Sequence, residues 1–222
     1  MLFARFALRR LPGIGFFKLF GTGTGEGFTP VPNTEVYAIL AVWPNLEQAR
    51  RQTETASVFR RYRDRATESW TVFLRTETAR GRWDGYNPFE MTEPQRDTFS
   101  LGNARSAPIV ALTRATIRPS ILLRFWSRVP AISSVIGKDP NVLFKIGMGE
   151  VPWFQQVTFS VWPDAESMAY FARHGGPHAE AIRAVREGRW FSEELYARFR
   201  ILAESGSWND AGRLHAREKE LV

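Results

Sequence analysis

The three histidines of this chain are its candidate nitrogen ligands for a transition metal, and His178 has the most informative surroundings. It follows Gly175, Gly176 and Pro177. A proline suits the first turn of a new helix because its φ is fixed and it has no N–H to lose. In that predicted helix His178 shares one stripe with apolar side chains three, four and seven residues further on. These are Ala181, Ile182 and Val185. An imidazole on an apolar stripe is either a hydrogen-bonded core residue or a metal ligand, and the spacing leaves both open.

The other two histidines have surroundings that favour other roles. His174 lies immediately before the two glycines, where we predict a helix C-terminus, and a cationic imidazole is favoured at that end of a helix. His215 lies in the charged segment AGRLHAREKELV. With three histidines in all, a multi-histidine di-iron site is excluded. The absence of cysteine excludes disulfides, zinc–thiolate sites, iron–sulfur clusters and a thiolate-ligated haem.

The glycine-rich segment GTGTGEGF, residues 21–28, does not have the spacing of a nucleotide site. A dinucleotide fingerprint needs G-x-G-x-x-G at the start of a helix. Here the glycines recur at every second residue, and TPVP follows instead of a helix. We therefore predict a turn between two strands, and no binding site for a flavin or a nicotinamide dinucleotide.

The chain is basic, but its charge is dispersed. The formal net charge is +7, and the 30 Lys and Arg residues form no five-residue basic block. We therefore predict a solvated basic surface and no nucleic-acid partner, while loose attraction to a membrane surface stays open. The longest uninterrupted apolar run, residues 36–43, is far shorter than the roughly 20 residues that span a bilayer.

The predicted elements occur in nearly the same order in both halves of the chain. The second half has a strand at 109–117, a helix at 119–136, strands at 142–147 and 156–162, a helical pair around His178 and a strand at 197–203. This is the strand, helix, strand, strand, helix, strand order of a ferredoxin-like unit. The first half has a helix ending near Pro12, strands at 15–21 and 34–43, a helix at 46–65 capped by Asn45, and a strand at 70–77.

Short sequence echoes support an internal duplication. ILAVWPNLEQA echoes TFSVWPDAESM, and TARGRWDG echoes ESGSWNDAG. Trp43 therefore pairs with Trp162, and Trp83 with Trp208, at nearly constant separation. We predict that these tryptophans mark core and strand-end positions. The predicted domains are a first ferredoxin-like repeat at 1–87, a linker at 88–107, and a second repeat at 108–222 that contains the His178 helix.

The first repeat is predicted to lack its first strand, because it starts directly in its helix at Met1. Either it has lost that strand, or the chain begins downstream of the ancestral start. Each repeat would have one sheet face covered by helices and one bare face, and packing the bare faces together buries both. We therefore predict an α+β fold of two ferredoxin-like repeats packed sheet to sheet as a dimeric-α/β-barrel-like domain. An apolar ligand cavity would lie at its mouth, walled by the His178 helix.

Six collinear segments carry a resemblance to a known family. They are FKLFGTGTGEGFTPVPN, ALTRATI, RFW, KIGMGEVP, QVTFSVWPD and PHAEAIRAVREGRWFSEELYARFRIL. They closely resemble the spheroidene monooxygenases, the acyclic carotenoid 2-ketolases of purple photosynthetic bacteria. The resemblance implies an O2-dependent enzyme of carotenoid biosynthesis that carries haem and converts spheroidene, and hydroxylated relatives, to 2-keto products. The family's histidine falls on His178, which is thereby implied to be the axial ligand of the haem iron. Family members usually begin with an additional strand, which this chain lacks.

Haem also fits what the chain can offer. Oxidation of an allylic CH2 by O2 needs a transition metal or a flavin, and without cysteine or a flavin motif a single axial histidine remains. A non-haem site of His174, His178 and Glu180 is the rival. Its i, i+4 histidine pair needs a continuous helix, which Gly175, Gly176 and Pro177 interrupt.

The resemblance also implies partners and a location. Electrons would come from an external donor, reduced ferredoxin, because the chain has no nucleotide motif. The protein would be cytoplasmic, and peripheral attachment to the photosynthetic membrane stays open. The alternative function is a non-catalytic haem or carotenoid carrier of the same fold.

Several charged residues of the second repeat have two possible roles. Arg198, Arg200 and Lys145 could pair with haem propionates or be solvated, and the sequence does not rank the two. The segment Ser-Glu-Glu at 192–194 is predicted to be the N-cap and first turn of a helix, not an acid–base pair.

Overall fold

The computed structural model of the 222-residue chain describes residues 2–25, 29–90, 107–127, 142–174 and 188–208. The strands are β1 (Phe16–Gly23), β2 (Pro32–Val42), β3 (Ser69–Gly81), β4 (Ile109–Ile117), β5 (Phe144–Val151), β6 (Gln155–Trp162) and β7 (Phe191–Ser207). The helices are α1 (Leu2–Arg9), α2 (Leu46–Thr55), α3 (Ser57–Arg63) and α4 (Ala165–His174), and a 3-10 turn (Pro119–Ile121) leads into a helical stretch at 122–127. Within these ranges no helix has the length and apolar composition needed to cross a membrane.

Two predicted elements differ from the structure. The helix predicted at 46–65 is two helices, because the backbone at Ala56 is extended (φ −68°, ψ 136°). Its start is confirmed: the Asn45 side chain accepts a hydrogen bond from the Gln48 amide at 2.8 Å. The prediction of a helical turn at 192–194 is wrong, because these residues belong to β7. Leu195, which follows them, is buried in an alternating strand pattern, and sheet pairing overrides the local helix-cap signal.

All seven strands belong to one sheet in the order β2-β1-β5-β6-β4-β7-β3. Within the second repeat, β5-β6-β4-β7 is the ferredoxin-like order, in which the first strand lies between the third and the fourth. The pairs β1–β5, β5–β6, β4–β6 and β4–β7 are antiparallel. In the described part of the chain the first repeat contributes three strands, and β2 and β3, which would flank its first strand, are the sheet edges. The predicted α+β fold of two ferredoxin-like repeats, the first lacking its first strand, is confirmed.

Two equivalent glycines show the duplication in three dimensions. Gly81 precedes Trp83 by two residues at the end of β3, and Gly206 precedes Trp208 in the same way at the end of β7. Both have positive φ, 97° and 77°. A Cβ at Gly81 would overlap the carbonyl oxygen of Glu194, and one at Gly206 would overlap a backbone oxygen at the start of β3. Close backbone approach at a positive φ explains why both copies have glycine here.

The described residues form two compact units that cut across the two sequence repeats. The first unit comprises Met1–Leu19, Ala38–Arg75 and Ile201–Val222, and the second comprises Phe20–Tyr37 and Thr76–Arg200. In the first unit, Ala4 and Leu8 of α1 pack with Leu19 of β1 and Val58 of α3. The domain boundaries at 87/88 and 107/108 stay a prediction.

Gly206→Ala should lower the free energy of unfolding by about 2 kcal/mol or more, because the new methyl adds a clash with the Ser69 carbonyl to the strain of a positive φ. Gly25→Ala is the matched control. Gly25 also has a positive φ, 64°, but apart from its chain neighbours no described residue has an atom within 4 Å of the position of its Cβ, so the cost should be about 1 kcal/mol. Urea denaturation measures both. Equal losses would contradict the close approach.

Candidate functional site

One face of the sheet carries many of the buried apolar side chains of the second unit together with a buried charge. Antiparallel partners lie side by side on the same face. The register pairs Arg114 with Val157 of β6 and with Leu195 of β7, and it pairs Leu112 with Phe159. The same pairing adds Val110, Phe144, Ile146, Met148, Val161, Ala197 and Phe199. We refer to this surface as the Arg114 face.

Helix α4 covers the opposite face. Ile109 and Trp162, a register pair of β4 and β6, form a core with Met168 and Phe171 of α4. Because successive strand residues point to opposite sides, α4 lies on the side of the sheet away from Arg114. The Arg114 face is therefore the face that α4 leaves uncovered.

Arg114 is 1% exposed and pairs with two glutamates. Its Nη1 donates to the Glu193 carboxylate, and its Nε lies 3.7 Å from Oε1 of Glu150. Its guanidinium also lies 5.6 Å from the ring centroid of Trp83, a cation–π contact. Trp83 Nε1 in turn donates to Oε1 of Glu150 at 2.7 Å. Because a buried charge is tolerated only when it is paired and hydrogen-bonded, these four side chains act as one unit, the Arg114 cluster.

A tight β-turn holds the carboxylate of Glu193. The Trp83 amide donates to the Tyr86 carbonyl at 2.7 Å, and the residues between them, Asp84 and Gly85, have φ of 56° and 87°. Two positive φ values define a type I′ turn, for which Asp-Gly is a preferred sequence. The amides of Asp84 and Gly85 donate to Glu193 at 3.2 and 2.8 Å. The turn thus positions the anion that binds the buried guanidinium.

A register shift places the second carboxylate. The β5–β6 pairing shifts between Gly149 and Val151, so that Glu150 is the extra residue of a β-bulge. A second shift lies between Thr116 and Ile117, where β4 pairs with β7. Both register shifts lie beside the Arg114 cluster: the first contains Glu150, and the second is next to Glu193.

Aromatic rings cover the cluster. Trp83 is fully buried, and its ring centroid lies 6.1 Å from that of Phe20 and 6.3 Å from that of Phe89. Phe89 meets Phe199 edge to face at 5.1 Å. Since Phe199 belongs to the Arg114 face, the segment after β3 that carries Trp83 and Phe89 lies across that face. It covers Arg114 and Glu150, which are 1% and 7% exposed, while the Glu193 side chain stays 23% exposed.

The electrostatics of the cluster favour a fixed charge over proton transfer. Burial by itself would raise the pKa of Glu193. The hydrogen bonds from the Gly85 and Asp84 amides and the charge of Arg114 outweigh burial, and the pKa of Glu193 is lowered below its usual range. A general acid or base at neutral pH needs a pKa near 7. Glu193 therefore serves as a permanent anion that holds Arg114, and the cluster is an electrostatic anchor.

The predicted ligand, His178, lies outside the described residues, as do Glu180 and His215. His174 is the last residue of α4, as expected for a helix C-terminus. Among the described residues no three His, Cys, Asp or Glu side chains are grouped so that they could hold a metal ion. The ligand assignment therefore stays a prediction.

The structure also describes the four repeat tryptophans and the three basic residues considered for haem propionates. Trp83 and Trp162 are buried, which confirms their core role, whereas Trp43 and Trp208 are half-buried at strand ends. Arg200 binds Glu77 and donates to the Ala107 carbonyl at 3.0 Å, so its guanidinium has protein partners. The positions of Arg198 and Lys145 do not test the propionate hypothesis.

The Arg114 cluster was missed by the sequence reasoning, although a signal was present. In IVALTRATI, Arg114 falls on the same strand face as Val110 and Leu112, which is the strand counterpart of the imidazole on an apolar helical stripe. A charge at such a position predicts a buried ion pair. Its partners could not be named, because Glu193 lies 79 residues away.

The strand order and the site define an α+β protein of two ferredoxin-like repeats with a largely apolar sheet face. No family model matches the chain. The spheroidene monooxygenase of Cereibacter sphaeroides is 53% identical over 205 residues, which cover 92% of this chain and 61% of that protein. The spheroidene monooxygenase of Rhodobacter capsulatus is 49% identical over 211 residues, which cover 94% and 84%. The chain belongs to the spheroidene monooxygenase family, and it spans about three fifths of the length of the Cereibacter protein.

A solved structure from Fusobacterium nucleatum, described as a candidate monooxygenase, also aligns with 92% of this chain and 83% of its own. Its sequence identity is 8% and its TM-score is 0.43. At that level the likeness adds nothing to the fold, which is defined by the strand order itself.

Arg114→Met should lower the free energy of unfolding by about 3–5 kcal/mol, because it leaves the carboxylates of Glu150 and Glu193, 7% and 23% exposed, without their cation. Arg200→Met is the matched control, since Arg200 is also a strand arginine paired with a glutamate, but its side chain is 16% exposed and that of Glu77 is 31% exposed. Its loss should cost about 1 kcal/mol. Equal losses in urea denaturation would contradict the central role of Arg114.

Glu193→Gln should make stability less dependent on acid pH. The folded pKa of Glu193 lies below the unfolded value of about 4.3. Its ionisation therefore stabilises the fold above about pH 4.3, and this contribution is lost as the pH falls through the folded pKa. The stability difference between wild type and variant should be largest at neutral pH and shrink below about pH 4. Glu194→Gln, an exposed neighbour, should keep the wild-type profile, and an identical profile for Glu193→Gln would contradict the assignment.

Proposed function

We propose that the chain acts as a haem-dependent, O2-using carotenoid monooxygenase that introduces a 2-keto group into spheroidene and related acyclic carotenoids. The observation that carries the proposal is the 53% and 49% identity to two proteins named spheroidene monooxygenase. Two hydroxylations at one carbon, each using one O2, two electrons and two protons and releasing one water, followed by loss of a further water, give the ketone. The substrate needs only a CH2 group that is held near the oxidant.

The Arg114 face supports binding of a polyene. Away from the cluster, towards Val110, its side chains are apolar over about 13 Å, the length of four strand residues. Phe144, Ile146 and Phe159 on this part of the face are only half-buried, and the rings of Phe144 and Phe159 meet edge to face at 6.2 Å. Apolar and aromatic walls with few polar groups suit a hydrocarbon ligand. The proposed roles of this face are to orient the chain of the carotenoid and to exclude water.

Haem would supply the oxidation of the CH2 group by O2 when it is bound. The chain has no cysteine, and His178 is its proposed axial ligand. Electrons are proposed to come from reduced ferredoxin. We further propose that the protein is cytoplasmic and attaches peripherally to the photosynthetic membrane.

Purified protein incubated aerobically with spheroidene, ferredoxin and a ferredoxin reductase should yield the red-shifted 2-keto product and show a Soret band. His178→Ala should lose most of the Soret absorbance per mole of protein and the product with it, because the iron loses its axial ligand. His174→Ala and His215→Ala are the matched controls and should keep both. Circular dichroism checks that each variant is folded.

The outcomes separate the alternatives. Bound but unchanged pigment in all folded proteins would support the carrier function instead. Full haem retention with an unchanged spectrum in His178→Ala would return His178 to the role of a core histidine.

A further inference from the structure

Large apolar side chains are exposed together at one end of the sheet in the second unit. Trp153, in the turn between β5 and β6, is 50% exposed, and Val151 beside it is 46% exposed. Leu123, in the helical stretch at 122–127, is 89% exposed, and Val31 is 57% exposed. We refer to these residues with Trp126 as the aromatic rim. Scattered exposed apolar residues are common, but a contiguous group marks an interaction surface.

Hydrogen bonds tie the three segments of the rim together. Trp153 Nε1 donates to the carbonyl of Pro30, the neighbour of Val31, at 3.0 Å. Trp126 Nε1 donates to the Trp153 carbonyl at 3.2 Å. Leu123 precedes Trp126 by three residues and therefore shares its side of the helix. Because both indole N–H groups already have partners, the rings can leave water without an unsatisfied donor.

The backbone at Trp153 is held in an unfavourable conformation. Its φ is 69°, in the left-handed region that costs a residue with a Cβ of the order of 1 kcal/mol or more. A glycine or asparagine would adopt the same turn at less cost. The Trp153 ring therefore lies at a turn whose strained backbone lowers the stability of the fold. Such strain is common at functional sites.

Arginines lie next to the rim. Arg118, Arg124 and Arg189 are exposed. The Arg118 amide donates to the Trp190 carbonyl at 2.9 Å, its Nε donates to the Phe191 carbonyl at 3.3 Å, and the Arg124 guanidinium lies 5.3 Å from the Trp190 ring. The ring of Phe125, beside Arg124, lies 5.4 Å from that of Trp126, which joins the basic group to the rim. Aromatic residues that enter the headgroup region and arginines that bind anionic lipids are the two components of an interfacial membrane contact.

We propose that the aromatic rim docks the protein onto the surface of an anionic lipid bilayer, with Trp153 and Leu123 in the headgroup region and Arg118 and Arg124 on the lipid phosphates. The inference names the surface that makes the peripheral attachment of the proposed function, and only its biological purpose rests on that function, since a carotenoid substrate dissolves in the bilayer. The contact itself follows from the exposed rings and charges.

A second exposed apolar pair provides the rival surface. Phe3 and Phe6 of α1 are 82% and 61% exposed, and arginines of α3 line an open concavity in the same unit. We favour the rim because its rings are fixed by two hydrogen bonds and carried by a strained backbone. For the α1 pair the described residues show no comparable support.

The test is co-sedimentation of the full chain with vesicles of phosphatidylcholine containing phosphatidylglycerol, compared with phosphatidylcholine alone. Binding should be stronger to the anionic vesicles and weaken at high salt. Leu123→Gln combined with Trp153→Gly should lower the partition coefficient by about tenfold or more, and Trp153→Gly removes the ring without adding backbone strain. Arg118→Gln with Arg124→Gln should reduce binding to anionic vesicles about tenfold and leave little salt dependence.

Phe3→Gln with Phe6→Gln is the matched control and should bind as the wild type does. Loss of binding in this control with full binding of the rim variant would overturn the proposal, as would the absence of vesicle binding by the wild type. Circular dichroism of each variant checks folding, and Leu123→Gln alone, at a nearly fully exposed position, keeps the test valid if the double variant is unfolded. Vesicle binding is measured without substrate, so its outcome is independent of whether the chain proves to be an oxygenase.

Discussion

The buried guanidinium of Arg114 is the constraint on which the second unit depends. An unpaired charge in the middle of an apolar strand face would cost several kcal/mol, of the order of the whole stability of a domain. The structure compensates with Glu150 in a β-bulge, Glu193 in the neighbouring strand and the Trp83 ring over the guanidinium. These groups come from β4, β5, β7 and the turn after β3, so the folding of four separate segments is coupled through one charge.

The Arg114 cluster also divides its sheet face into two parts with different roles. Around Arg114 the face is charged and is covered by Trp83 and Phe89. Towards Val110 the face is apolar: Val110, Leu112 and Val161 are buried, whereas Phe144, Ile146 and Phe159 are half-buried. An apolar ligand gains nothing from a paired and buried charge, so the proposed polyene binding is assigned to the second part.

The two sequence repeats have different structural roles. The equivalent glycines Gly81 and Gly206 keep one conformation because each faces the backbone of the other repeat's last strand. The tryptophans that follow them differ: Trp83 is fully buried against Arg114, whereas Trp208 is half-buried. The first repeat supplies the cover of the cluster, and the second supplies the charge. The edge strands β2 and β3 are half-buried along most of their length, with exposed residues in the first half of β2 and at the end of β3.

The sequence by itself determined the family, the repeat and most of the elements, because these depend on local periodicity and on residues close together in the chain. The strand predicted at 109–117 has those bounds, and Asn45 caps its helix. Only the tertiary structure decided the start of β7, the break at Ala56 and the partners of Arg114. At the start of β7 the local sequence has a helix-cap signal, and sheet pairing overrides it. At Ala56 the local sequence favours a continuous helix, but the backbone is extended there. A guanidinium in a strand shows that a counter-charge is needed, but the 79-residue separation from Glu193 is closed only when the sheet forms.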